Sequence, residues 1–295
     1  VVVDALFGEV TKRLPDRWVV QSFAPGVLWW AVAIAGFALG HANPFDVVAA
    51  SVRIERLVHD VTARPGGAVL AAVLLLVAIS AVSLAAHAAA AGMRGIWLGR
   101  WRRPALGLAE KLARRRRDRQ RRRLAGRGEW LPEVYLPHRP TWIGDRFHLA
   151  DVRVTGQYGL RLALVWPRLW YVLDADTRTL VQDARTRFDH ATRLAGWAAC
   201  YAVITVVWWP AVLLAGGIFC CAWYSGRSAA SLFADAVETT VDLNHRKLAE
   251  ALGFVIAPGE RLSPSVADAI NDQLHKGASP QPQRAASGGP IDEIV

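Results

Sequence analysis

The sequence predicts an all-α, polytopic integral membrane protein with four transmembrane helices, or three if its last apolar stretch crosses only once. Three observations carry that expectation. Three long stretches hold no charged residue, the last of them is symmetric about a proline, and most of the positive charge is packed into one block.

A bilayer-crossing helix needs about 20 mostly apolar residues to cover a hydrocarbon core of roughly 30 Å. The first candidate runs from Trp18 to Phe45 and is densest at PGVLWWAVAIAGFALG, 25–40. The second runs from Pro65 to Met93, with AVLAAVLLLVAISAVSLAA at 68–86. Neither shows the polar face of a helix on a soluble core. Lys12, Arg13 and Arg17 before the first run, with small residues near Gly40 after it, also fit a cleaved signal segment. The tryptophan pair inside the run and its long uncharged continuation favour a retained span. Residues 1–93 are thus expected to form a transmembrane pair around an external loop, 41–66. In that loop PFDVVAASVRIERLVHDVTAR, 44–64, reads as an amphipathic helix on the outer surface.

The third stretch, Leu194–Gly226, would be about 50 Å long as one helix, too long for an upright span. Pro210 lies at its centre, directly after Trp208 and Trp209. Trp197 and Trp223 are each thirteen residues from Pro210, and Arg193 and Arg227 are each seventeen away. Tryptophan prefers the membrane interface and arginine its wet side. The symmetry predicts a hairpin over 194–226, with arms of about 16 residues turning at Pro210. Trp197, Trp208, Trp209, Trp223, Arg193 and Arg227 would anchor it at the interfaces. One tilted span kinked at Pro210 is the three-helix alternative.

The formal charge is +10, yet residues 94–128 hold fourteen Lys or Arg against two acids, so the rest of the chain is slightly acidic. A basic block directly after a span marks the cytosolic side. Residues 94–193 and 227–295, and both termini, are therefore expected on the cytosolic side of the plasma (inner) membrane. Arg114, Arg115, Arg116, Arg117, Arg119, Arg121, Arg122 and Arg123 are candidates for contact with anionic lipid headgroups, at roughly 1 kcal/mol each. The acid partner of the block is then the membrane itself. Nucleic acid is disfavoured, because no aromatic residue interleaves with these arginines to stack on bases. A protein partner for the cytosolic helices and a homo-oligomer are the other partners admitted. Gly36, Ala38, Gly40 and Gly216–Gly217 are small enough for close helix contact.

Residues 94–142 form a basic segment and linker. A helix is expected over 105–126, between Pro104 and Gly126. GEWLPEVYLPHRPTW, 128–142, has three prolines and reads as an extended connection. Region 143–193 is expected to be helical, since 143–159 repeats apolar residues at three- and four-residue intervals. LRLALVWPRLWYVLD, 160–174, sets Arg161 and Arg168 on one face against Trp and Leu. It is readable as an interfacial helix or as a core element, with Pro167 kinking it or starting a new helix there. Segment 174–193 opens on aspartates suited to cap a helix that continues into the first hairpin arm. In 227–277, the stretch 228–252 carries an apolar stripe, ends at Gly253, and is expected to run antiparallel to 174–193. SPSVADAINDQLHKG, 263–277, is a short helix with Ser263 as cap and Pro264 first. The Pro-, Gly-, Ser- and Gln-rich tail, 278–295, is expected to be disordered.

Catalytic patterns are missing from the sequence: it has no phosphate-cradling glycine loop, no H-E-x-x-H and no G-x-S-x-G. Cys200, Cys220 and Cys221 lie in the apolar stretch without metal-ligand spacing, and His138, Asp145, His148 and Asp151 match no standard metal site. His87, inside the second span near its cytosolic end, could serve as a proton or ligand site, but is expected to bond a neighbouring carbonyl or reach water. No Asp, Glu, Lys or Arg lies within a span, which weakens an ion-coupled transporter. The expectation is therefore no catalytic residue, no cofactor and no metal. The expected role is a non-enzymatic membrane anchor, scaffold or assembly component acting through basic cytosolic helices. An oligomeric channel and a membrane-tethered nucleic-acid binder are the rivals.

Overall fold

The computed structural model describes residues 23–63, 66–101, 105–257 and 259–275. Among them the fold is all-helical, with no strand. The cluster of Lys12, Arg13 and Arg17, and with it the signal-segment reading, lies outside the described residues, as does the tail from Ala278.

Local chemistry sets most helix ends. α1 (Ala24–Leu39) carries Pro25 in its first turn and closes where the Gly40 N–H donates to Gly36 O at 2.9 Å. In α2 (Val47–Thr62) the Asp46 carboxylate caps by accepting from the Ala49 N–H at 2.9 Å. α3 (Gly67–Trp97) and α4 (Leu106–Ala125) follow, then a single 3-10 turn at Glu133–Tyr135. Thr141 caps α5 (Trp142–Tyr158), which stops at Gly159 because φ there is +69°, open to glycine and strained for other residues. α6 is Leu162–Val172. Asp174 caps α7 (Ala175–Ile204) by accepting from the Thr177 N–H at 2.7 Å, and Pro210 occupies the N-cap of α8 (Ala211–Ala251). Ser263 caps α9 (Pro264–Leu274).

α7 and α8 form an antiparallel pair joined by a turn over 205–210; α3 packs on α7, α5 and α6 on α8, α2 on α1 and α3, and α9 on α6. Beside the turn, α3 crosses α7 at backbone distance. A Cβ on Gly196 would come within 2.4 Å of Ala86 O and 2.9 Å of Ala90 Cβ. Trp29, Trp30, Trp197 and Trp208 fill the junction of α1, α3 and α7. One level further along, Trp97 at the end of α3 is 1% exposed. Its ring meets Trp223 edge-on at 5.8 Å and lies where a Cβ on Gly226 would intrude at 2.6 Å.

Beyond Trp97, α5, α6 and α9 pack on the outer ends of α7 and α8. The core here is made by Val154, Leu160, Val165, Leu169, Leu173, Val241, Leu248 and Ile270. This decides between the two readings of WPRLWYVL: with Val165 and Leu169 both 0% exposed, α6 is a core element. The helix continues through Pro167. Proline deletes one backbone donor at a cost of about 3 kcal/mol, and burial of the neighbouring Val, Leu and Trp side chains offsets it.

One expectation is met in part and another changes. Among the described residues one helix, α3, is long and apolar enough by itself to cross a membrane, with 31 residues and a mean hydropathy of 2.8 over its most apolar stretch. α1 is apolar but has 16 residues, and α7 and α8 keep their apolar residues at the ends beside the turn and continue unbroken into charged helix. The all-α class stands, and by length and composition alone the described residues single out one span. The 128–142 segment is not a free linker. It contains the 3-10 turn and buries Leu136.

Candidate functional site

The arginine block becomes a helix with two unlike faces. Ala109 and Ala113 are buried, and Arg116 lies on the same side. Arg116 Nη2 is 2.7 Å from Asp145 Oδ2, and its Nη1 donates to Arg139 O at 3.1 Å. Arg117 Nε donates to Pro137 O at 3.2 Å, and Arg121 pairs with Glu133 at 2.7 Å. These three arginines fasten α4 along the returning 133–145 segment. Arg114 is exposed and only loosely paired with Glu110, at 3.5 Å. Arg115, Arg119, Arg122 and Arg123 are exposed on the outer side, and no ion pair engages them among the described residues.

Asp145 is the centre of this clasp. It sits in the first turn of α5, where a carboxylate is favoured by the helix dipole. Its Oδ1 accepts from the N–H groups of His138 at 2.9 Å and Arg139 at 2.6 Å, while Oδ2 faces Arg116. Burial pushes the Asp145 carboxyl up from its usual range, against the pull of those N–H bonds and of Arg116. Burial likewise lowers the Arg116 guanidinium, opposed by Asp145 and assisted by Arg227. The chemistry is that of a structural ion pair joining three segments of chain. The rings of His138 and His148 meet edge-on at 5.4 Å beside it. No group of three or more His, Cys, Asp or Glu able to hold a metal occurs among the described residues.

The hairpin residues fall into distinct environments. Pro210 starts α8 directly after the turn. The Trp208 indole N–H donates to Pro44 O at 3.0 Å, and Trp209 lies edge-on to Phe45 at 6.3 Å, so the turn and the 40–46 loop share one end of the molecule. At the other level, Arg227 stacks over the Trp142 ring at 4.5 Å and Trp223 packs on Trp97. Arg193 donates to His190 Nδ1 at 3.0 Å. Trp197 differs from its symmetry mate Trp223. It is 8% exposed and its ring fills the contact with α1 and α3, so it packs inside the protein. His87 Nδ1 donates to Ser83 O at 2.7 Å.

A second polar seam joins α5 to α8. Arg146 bonds Glu238 at 2.7 Å and also Asp235, and Arg153 reaches Glu238 at 3.2 Å. Burial pulls the Arg146 guanidinium down, but the two carboxylates outweigh it and hold it above its ordinary value. Below the seam, Tyr158 donates to Asp242 at 2.9 Å, and burial together with that carboxylate pushes the phenol up to about 12. A small open cleft of about 220 Å³ lies here, bordered by Tyr135, Arg153, Gln157, Glu238 and Asp242.

Sequence reasoning considered Asp145 only as a rejected metal ligand, and it missed Trp97, Trp142 and Glu238. The signal for Asp145 was present in part, as an acid three residues after Pro-Thr-Trp at a helix start. Its arginine partner, 29 positions away among eight candidates, carried no local mark. Comparison of the chain with family models, with curated proteins and with solved structures finds no match.

Proposed function

We propose that the protein is a multi-pass component of the plasma (inner) membrane, non-enzymatic, that anchors and presents a cytosolic helical platform for assembly. In this reading α1, α3 and the turn-side parts of α7 and α8 are the four spans. The observation that carries it is the outward face of that half of the molecule. Leu28 and Phe37 of α1, Val69, Leu70, Val77 and Leu84 of α3, Val206 in the turn and Leu213 of α8 are all exposed. Soluble monomers rarely expose a contiguous apolar patch beyond a few hundred Å². Only 17% of the most apolar stretch of α3 is buried, the opposite of a core helix. At 1.5 Å per residue α1 and the 211–226 arm reach about 24 Å each, near the hydrocarbon thickness, and α3 reaches about 46 Å.

The charged level where Arg94 pairs with Asp189, Arg227 stacks on Trp142 and α4 is clasped would then lie at the cytosolic headgroups. Arg115, Arg119, Arg122 and Arg123 are the arginines left for anionic lipid, at roughly 1 kcal/mol each. An anchor is favoured over a pore because tryptophan rings fill the α1–α3–α7 junction. A non-enzymatic role is favoured because Asp145 and Glu238 are committed to holding helices together.

The test is topological. In a variant with Cys200, Cys220 and Cys221 replaced by Ala, single cysteines at Asn43 and Gln182 are labelled in intact cells with a membrane-impermeant maleimide. Labelling at 43, with labelling at 182 only after permeabilisation, is the expected result. Equal labelling of both positions in intact cells, or release of the chain by carbonate washing, overturns the reading.

A further inference from the structure

A cleft of about 290 Å³ opens between α3 and α7, bordered by His87, Ala90 and Arg94 on one side and Thr186, Asp189 and Arg193 on the other. Its volume suits a small polar group and falls just below the range that holds drug-sized ligands. Its position is set by the sequence of both helices. The apolar run of α3 ends at Met93 and that of α7 begins at Leu194. The helices cross at backbone distance where Gly196 meets Ala86 and Ala90, which closes the cleft on its apolar side. On the membrane reading given above, on which this inference rests, the cleft lies at headgroup depth in the cytosolic leaflet.

The groups around it divide into cations and acceptors. Arg94 pairs one nitrogen with Asp189 Oδ1 at 2.9 Å, while its Nε is shielded from solvent and has no hydrogen-bond partner. Arg193, whose Nη2 also donates to His190 Nδ1 at 3.0 Å, supplies the second guanidinium, from α7. Opposite them stand three acceptors. Asp189 is a carboxylate whose Oδ1 faces Arg94 and whose Oδ2 lies 3.9 Å from Arg185 Nε, too far for a hydrogen bond. Thr186 spends its hydroxyl hydrogen on Gln182 O at 2.8 Å, which leaves its oxygen lone pairs. His87 bonds the Ser83 carbonyl through Nδ1, and in the tautomer with its hydrogen on Nδ1 the Nε2 is an acceptor. The guanidiniums of Arg94 and Arg193 border the cleft, with Arg185 at 3.9 Å from the same Asp189 carboxylate, so an anion suits it, and an arginine fork matches phosphate oxygens. The acceptors require hydroxyl donors on the same ligand. A choline headgroup offers no hydroxyl, and choline, ethanolamine and serine headgroups all bring a cation toward the arginines.

We propose that this cleft binds the headgroup of an anionic phospholipid that carries hydroxyls, with the phosphate held by Arg94 and Arg193 and the hydroxyls by Asp189, Thr186 and His87. The lipid would seat at the α3–α7 crossing, separately from the exposed arginines of α4.

The full chain in detergent micelles is titrated with phosphatidylglycerol, phosphatidylserine, phosphatidylcholine and soluble glycerol 3-phosphate, and native mass spectrometry counts retained adducts. One phosphatidylglycerol per chain is expected, held at least tenfold more tightly than the other two lipids. Arg193→Gln weakens it about tenfold, the worth of one charge-assisted hydrogen bond. Thr186→Val narrows the preference over phosphatidylserine and leaves the fold intact by circular dichroism. Arg187→Gln, which removes the same charge from α7 beside the cleft, leaves the adduct unchanged. Equal weakening by Arg187→Gln and Arg193→Gln, or no preference for phosphatidylglycerol, overturns the proposal. If the cysteine labelling supports four spans and this preference is missing, the cleft alone is misassigned. If the labelling fails and glycerol 3-phosphate binds as tightly as the lipid, the ligand is a free phosphate ester and the lipid assignment falls.

Discussion

Between the turn and Gly226, α8 exposes Val212, Leu213, Leu214, Phe219 and Tyr224; from Ser228 to Ala251 the large apolar side chains it exposes are Leu232 and Leu243. Its antiparallel partner changes in the same way. α7 exposes Asp183, Arg185 and Arg187 before residue 193 and Leu194 and Val203 after it. The inward face does not change. Ala195, Ala222, Ala229, Ala230 and Ala234 stay buried along one seam that runs through both regions. The same two helices thus use one packing solution along their whole length, and only their outward residues differ between the two halves.

Four measurements can break or sharpen that comparison, and the seam itself should respond most strongly. Gly196→Leu sets a side chain against Ala86 O, a backbone atom that cannot move without shifting α3. Overpacking of this kind costs about 3 kcal/mol or more, so folded protein should be lost, measured as the detergent-solubilised monodisperse fraction. Gly216→Ala, where an added Cβ meets nothing within 4 Å, should be neutral or slightly stabilising.

Next come apolar truncations on either side of the boundary. Leu169→Ala opens a hole in the α6 core and should cost about 2–5 kcal/mol in denaturant unfolding. Leu213→Ala, at a position 71% exposed, should change stability in detergent by less than about 0.5 kcal/mol. A Leu213 effect as large as that of Leu169 would mean that both regions meet the same surroundings.

The clasp on α4 ranks third. Asp145→Asn keeps the acceptor for His138 and Arg139 but removes the counter-charge of Arg116. Breaking a buried pair costs about 3–5 kcal/mol. Arg116 keeps 24% of its side chain exposed, so screening should reduce the loss to about 1–2 kcal/mol. Faster trypsin cleavage within 114–123 is the measurement. Unchanged cleavage would show that α4 is held by Arg117 and Arg121 without Asp145.

The smallest effect is a dependence on pH confined to the surroundings of α5. Burial, then Arg139 and His138, hold the His148 imidazole below its ordinary value of 6.5. The unfolded chain therefore takes up the proton first as pH falls. The stability from the neutral ring is present above about 6.5 and is lost as pH drops toward the folded value. Thermal unfolding between pH 7 and pH 5 should show this slope, and His148→Gln should flatten it.

Features fixed by local chemistry were legible in the sequence. The caps at Asp174 and Ser263, the Trp-Trp-Pro turn residues and the end of α5 at Gly159 each depend on a few neighbouring residues. The helix over 228–251 was visible as an apolar stripe, though not its unbroken union with the arm before it. What depends on distant partners was hidden. Spacing from Pro210 makes Trp197 and Trp223 equivalent, and only the position of α1 separates a packed ring from one at the charged level. Eight arginines look alike in sequence. Ala109 and Ala113 turn one face of α4 inward, and that rotation selects Arg116 for Asp145 and leaves Arg115, Arg119 and Arg122 outside.

α8 runs 41 residues without a break, about 60 Å at 1.5 Å per residue. Its Gly226 sits against the Trp97 ring, and a rigid rod tilting about that contact would act as a lever. A tilt of about 5° there displaces Ala251 by roughly 3 Å, enough to shift α9 against α6. A change of thickness or crowding around one end of this rod would be felt mechanically at the other, with no jointed segment in between to absorb it.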